Sequence, residues 1–135
     1  MQPAVDNTSK NSFKKHDRLK SSLEIDALYR ENQFIIIYPL KCYYSFSTRS
    51  DNKNTIRAAF SVPKKIFKHA VDRNTLKRRM REAYRLNYKK IFETFLNQND
   101  AQLRLFFIYV GKETQKYGAI EKNMVVIFEK LKISV

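Results

Sequence analysis

Apolar positions along this chain recur with two periods, and the points where one gives way to the other divide it into elements. Residues 1–13 are mostly polar and follow neither period, so they read as a flexible lead-in, with order predicted from Lys14 onward. Ser21 or Ser22 then stands as a helix N-cap, with Glu24 supplying a first-turn carboxylate. Behind it Leu23, Ala27 and Leu28 share one side of a short helix, Ile25 and Tyr29 lie at i, i+4 on another, and the helix ends near Asn32. Residues 34–46 are rich in β-branched and aromatic side chains. From Leu40 they alternate, with Leu40, Cys42, Tyr44 and Phe46 on one face and Lys41, Tyr43 and Ser45 on the other. Pro39 marks a break or an edge, so residues 34–38 can form a short strand of their own. A turn cluster at 50–54 leads to a returning strand at 55–62, and the two long strands are predicted to pair as an antiparallel hairpin.

The helical period resumes from about 70 to 96, where Val71, Leu76, Met80, Ala83, Tyr84, Ile91 and Phe95 form an apolar stripe. Asn and Asp at 97–100 stop it. Residues 103–110, bounded by Gly111, are nearly unbroken apolar, as in a strand covered on both faces, with Arg104 an exception near the start. A last helix from about 116 to 131 carries Ile120, Met124, Ile127, Phe128 and Leu131 on one face. The predicted fold class is therefore α+β: a single domain over 14–135, in the order α-β-β-α-β-α, with a small mixed sheet packed by helices. The strand–helix–strand unit from 55 to 110 joins parallel strands, and crossovers of that kind are right-handed as a general rule.

Length agrees with one domain, since 135 residues bury a single core without staples. Charge changes the picture. The chain carries 27 Lys and Arg against 13 Asp and Glu, a net +14, far more than solubility needs, and this points to nucleic acid ahead of an anionic membrane surface. No apolar run reaches the length of a membrane span and the N-terminus has no signal pattern, so a cytoplasmic protein is expected. The lone Cys42, in strand-like surroundings, reads as a buried thiol.

The charge is concentrated. Between Lys64 and Lys90 there are eleven Lys or Arg and two acids, Asp72 and Glu82. Arg73, Lys77, Arg81 and Arg85 recur every four residues, with Asn74 and Arg78 on the next row, so a helix here presents a ladder of cations opposite its apolar stripe. Stacked like charges repel, and a polyanion removes that repulsion. Arg73-Asn74 followed by Lys77-Arg78 and Arg81-Glu82-Ala83, with Lys64-Lys65 upstream and Ala70-Val71 just before, closely resembles the signature of the protein subunit of bacterial ribonuclease P. The resemblance spans about 14–131 and takes in the Arg18-Leu19-Lys20 lead and the Ile25/Tyr29 pair. It departs at Thr75, where the signature has Arg and where Arg79, one turn on, is the candidate replacement. It departs again in the Ile66-Phe67-Lys68-His69 turn, longer by one residue and lacking the usual glycine, and at Pro63 before the Lys pair.

The resemblance implies a left-handed crossover in place of the general rule. It also implies that a catalytic RNA subunit performs the hydrolysis with magnesium held mainly by RNA, that the protein binds no metal of its own, and that the substrate is precursor tRNA whose 5′ leader is removed. No obligate protein partner and no membrane are expected. Lys64, Lys65, Arg73, Asn74, Lys77, Arg78, Arg81 and Arg85 would bind the catalytic RNA; Ile25, Tyr29 and Tyr43 would line a leader cleft between the first helix and the sheet; Arg18 and Lys20 would make further RNA contacts. The chemistry suits these roles. Guanidinium and ammonium groups neutralise phosphates and release counterions; Asn74 can orient a phosphate contact or read a base or ribose edge, or serve only as a local cap; aromatic faces stack on any base. Tyr29 and Tyr43 can equally be half-buried core tyrosines with wet hydroxyls.

Nothing in the residues themselves suggests an enzyme that acts alone. His16 and His69 belong to no metal-ligand spacing, two glycines make no phosphate loop, Glu82 has Arg78 and Arg85 at i−4 and i+3, and Asp72 suits the helix dipole. His69 could touch phosphate or sit exposed in its turn. The competing readings are a structured-RNA coat protein, which has no need of the full ordered motif; a metal-dependent nuclease built on Asp72, Glu82 or His69, which needs acids that converge; and a DNA-binding protein, for which no helix-turn-helix or dimer pattern is present.

Overall fold

The computed structural model describes Phe13 and residues 17–48, 55–96 and 101–134. The turn cluster at 50–54, the helix stop at 97–100, His16 and the lead-in before Phe13 lie outside the described residues. Phe13 itself is not part of a loose lead-in: its ring meets Phe60 at 5.8 Å and Tyr84 at 5.5 Å, both edge-on.

Helix α1, Ser22–Glu31, begins where the sequence provides a cap, with the Ser21 hydroxyl accepting from the Glu24 N–H at 3.3 Å. It ends because Asn32 adopts the left-handed conformation (φ 55°), which asparagine tolerates, and donates its N–H to the Leu28 carbonyl. Strands β1, Phe34–Ile37, and β2, Leu40–Thr48, form an antiparallel hairpin that turns through Tyr38 and a cis Pro39. Strand β3 is Thr55–Ser61, α2 Ala70–Ile91, α3 Glu93–Leu96, β4 Ala101–Tyr109 and α4 Tyr117–Ser134. The single helix expected over 70–96 is thus interrupted at Phe92, whose N–H still bonds to the Tyr88 carbonyl at 2.9 Å.

The predicted hairpin between the two long strands is overturned. Sheet order is β1-β2-β4-β3: β4 lies between β2 and β3, antiparallel to the first and parallel to the second. The cause is burial. From Leu105 to Tyr109 β4 is apolar on both faces, so it gains most from the interior of the sheet.

On one face of β4, Leu103, Leu105, Phe107 and Tyr109 join Leu40, Cys42, Ile56 and Ala58 under α2 and α4; every apolar residue named above for α4 is fully buried there. On the other face Phe106 and Tyr43 pack with Leu19 and Leu28 beneath α1. Leu76, Met80, Ala83, Tyr84, Ile91 and Phe95 face the core as expected, but Val71 is 74 % exposed. One residue into its helix, it lies beyond the ground the sheet covers. Asn87, buried, ties α2 to α4 by donating to the Ala83 carbonyl at 2.8 Å and to Glu121 at 3.0 Å. Gly111 is required by close approach, because a Cβ there would lie 2.7 Å from the Pro39 Cβ. Among the described residues no helix is long and apolar enough to cross a membrane.

Candidate nucleic-acid interface

The entry to α2 is built without glycine. Phe67, buried against the edge of Tyr109 at 5.6 Å, plugs the turn, and its N–H donates to the Pro63 carbonyl. Arg73 then reaches back and donates to the carbonyls of Phe67 (2.8 Å) and Lys68 (3.0 Å). A bulky anchor and a guanidinium clasp thus fix the path of this turn. His69 is exposed at the N-cap position with no side-chain capping bond; its carbonyl accepts from the N–H groups of Asp72 and Arg73.

The ladder of cations is a spiral. Four residues overshoot a helical turn by about 40°, so successive members shift around the helix and differ in exposure where a straight row would not. Arg73, Lys77 and Arg85 are partly buried, whereas Lys64, Lys65, Asn74, Arg78 and Arg81 are exposed. Arg85 donates from Nε and Nη2 to the two carboxylate oxygens of Glu82, at 3.0 and 2.6 Å, and this hydrogen-bonded partner holds the Glu82 carboxyl below its usual range. Arg79 does not take the place of the missing Arg at Thr75. It points to the other flank and donates to the Gln115 carbonyl at 2.6 Å, while the Thr75 hydroxyl donates to the Val71 carbonyl. The outward set is therefore Lys64, Lys65, Asn74, Arg78 and Arg81, with Lys77 partly buried beside them, and among the described residues none of these cations has a carboxylate partner.

Ile25, Tyr29 and Tyr43 do come together, but unequally. Tyr29 is 44 % exposed, with its ring edge-on to Tyr43 at 4.8 Å and to Phe106 at 5.7 Å; Tyr43 is 8 % exposed and lies beneath it. Tyr43 is thus mainly a support, the core reading of the two left open. Burial raises the Tyr29 hydroxyl above its ordinary pKa, so it stays a hydrogen-bond donor at neutral pH. Two residues not assigned to the cleft from sequence complete this surface. Phe34, 40 % exposed, meets Tyr43 at 5.6 Å, and the Lys41 ammonium lies 4.3 Å from the Phe34 ring centre and 4.8 Å from that of Tyr43.

Sequence reasoning also missed a charged layer under α1. Arg57 donates twice to Glu24, at 3.2 and 2.6 Å; Arg104, its partner in the parallel ladder, lies 3.5 Å from the same carboxylate and donates to the Ser45 hydroxyl, which donates in turn to Glu31. The Nε atoms of both arginines are buried without partners. Only the parallel register of β3 with β4 brings these two arginines side by side, and no local pattern contains that register. Burial pushes the Cys42 thiol far up, which leaves it inert at neutral pH. Among the described residues there is no group of three or more His, Cys, Asp or Glu that could hold a metal ion; Asp72, Glu82 and His69 do not converge, as a nuclease centre would need.

Comparison with known proteins gives this arrangement a family. A sequence model described as Ribonuclease P matches residues 13–132. A ribonuclease P protein component of Porphyromonas gingivalis is 33 % identical over 115 residues, 82 % of this chain and 79 % of that protein. Its counterpart in Chlorobium phaeobacteroides is 35 % identical over 108 residues, 75 % and 73 % of the two chains. The crystal structure of the Staphylococcus aureus RNase P protein has the same fold, with a TM-score of 0.58 over 86 % of this chain and 95 % of that one at 17 % identity. With its cation spiral, its lead segment and its fold all falling within the matched span, the chain belongs to the ribonuclease P protein family.

Proposed function

We propose that this chain assists a catalytic RNA by presenting two separate surfaces to two parts of the substrate complex. Family membership makes it a protein component of ribonuclease P, the endoribonuclease that matures the 5′ end of tRNA. The division of labour within that role is our reading. The outward cations of α2 and the Lys64-Lys65 turn bind the catalytic RNA, where neutralised phosphates release counterions. The surface made by Tyr29, Phe34 and Lys41 takes the single-stranded leader, whose bases stack on aromatic faces whatever their sequence. Magnesium is held by the RNA, and no step here passes through a protein-bound ion. The protein works in the cytoplasm, where its RNA partners are made.

One observation carries this reading: the unpaired cations and the exposed aromatic rings lie on different elements, α2 against α1 and β1, so binding the RNA partner leaves the aromatic surface open. The test is precursor-tRNA cleavage at low magnesium with protein alone, matching catalytic RNA alone, and both. Activity that requires the RNA and rises with the protein is the expected result. Cleavage by RNA-free protein would mean an active site of its own, and no effect in any mixture would leave a general RNA-binding protein.

A further inference from the structure

A pocket of about 270 Å³ opens at the outer edge of β3, lined by Phe13, Arg18, Leu19, Lys20, Ala58, Ala59, Phe60 and Arg81. The lead segment builds one wall. The Leu19 N–H donates to the Ala58 carbonyl at 2.9 Å and Arg18 bridges to Ala58 in parallel sense, so residues 18–20 extend the sheet by a short rung. Leu19 turns into the core, and strand alternation then leaves Arg18 and Lys20 exposed on either side of it. Arg81 comes in from α2. Three cations from two distant segments therefore ring one concavity, with no acid in the lining and no carboxylate partner for any of them among the described residues. Arg18 lies over the Phe13 ring, its guanidinium carbon 5.5 Å from the ring centre, so that cation and aromatic face sit together in the lining.

We propose that this pocket takes one unstacked nucleotide of the catalytic RNA, with the phosphate on Arg18, Lys20 and Arg81 and the base against Phe13, Phe60 and the Arg18 plane. The inference rests on the functional reading above and adds a specific recognition site to it. Three unpaired like charges around a concavity repel until an anion enters. The aromatic lining calls for more than a bare phosphate, and bases splayed out of single-stranded RNA are read by stacking on aromatic rings and guanidinium planes. The volume lies near the lower end of ligand pockets, about 300 Å³, which admits one nucleotide's groups and no duplex. The leader is the other source of such a nucleotide. It is disfavoured because β1 and β3 are opposite edges of the sheet, three strand spacings or about 14 Å apart, while Arg81 belongs to the helix that faces the catalytic RNA.

The experiment measures binding of the full chain to the catalytic RNA for wild type, Arg18→Ala, Arg81→Ala and the double variant, with 2′-hydroxyl acylation mapping of the RNA in each complex. Both side chains are exposed, and thermal melts check that the fold is kept; Arg81→Lys supplies a variant that retains charge. Each single change should weaken binding about tenfold. The double should weaken it by clearly less than the product, because both cations hold one phosphate. One nucleotide should be protected by wild type without precursor tRNA, exposed again in Arg81→Ala and partly protected by Arg81→Lys. Multiplicative losses with no such nucleotide would reduce the cations to scattered surface charge and overturn the proposal. Protection that appears only with precursor tRNA, and in its leader, would overturn it in favour of the other source. Wild-type protein that fails to bind the RNA would sink the functional reading and this proposal with it.

Discussion

Arg73 donates into the turn that starts α2, whereas Arg78, five residues on, stands exposed without a carboxylate partner among the described residues. The two arginines therefore answer different measurements. Arg73→Ala removes charged donors from two carbonyls and should lower stability by about 1.5–3 kcal/mol in a thermal or denaturant melt. Arg78→Ala should leave the melt unchanged and reduce the slope of log K against log salt for RNA binding by about 0.7–0.9. Glu82 gives a pH signature. Its folded carboxyl titrates below the ordinary 4.5 because of Arg85, so the pair's contribution is complete above that value and is lost as pH falls through the lowered one. The pair is part-exposed and worth about 0.3–0.5 kcal/mol. Glu82→Gln should thus melt slightly below wild type at pH 7, and the gap should close as the pH falls below the ordinary carboxylate range.

At the scale of elements, α1 and the sheet divide one task between a contact and its support. Tyr29→Ala should weaken precursor tRNA relative to mature tRNA by about 1–3 kcal/mol with assembly on the catalytic RNA intact. Tyr43→Ala should cost about 3–5 kcal/mol of stability through the cavity it leaves, so any loss of leader binding would come with a lowered melt. Equal losses for the two tRNAs in Tyr29→Ala would remove α1 from the leader surface. Helix α1, the basic helix and α4 were legible because each follows its own local period from a recognisable start, Ser21 being the clearest case. The position of β4 was not. Its apolar run correctly signalled two covered faces, but which strands flank it depends on contacts between distant residues. The same gap hid the Arg57–Arg104 row and turned the hairpin into a neighbour that was not there. Among the cations, sequence gave their number and spacing; whether each faces outward depended on the drift of the spiral and on carbonyls at Phe67, Lys68 and Gln115 that no charge pattern reports.

The whole molecule places its excess charge on a scaffold whose two sheet faces are both covered. Net +14 spread over elements that converge from separate parts of the sequence makes binding a property of the finished fold. A chain ending at residue 100 keeps every cation of α2 but loses the strand to which both β2 and β3 are paired. It should give no cooperative melt, and its RNA affinity should fall to a weak, wholly salt-dependent remainder.

The order of synthesis then acquires a meaning. The strand that emerges late is the one that sits in the middle, with Leu40 finally paired to Tyr109 and Thr55 to Gln102. Such distant pairings make folding slow relative to a helical bundle of equal size. On the ribosome, the basic helix leaves the tunnel with its apolar stripe uncovered and nothing to hold it. It can acquire a defined face for RNA only after β4 has been made, so that competence to bind waits on a strand synthesised after the helix itself.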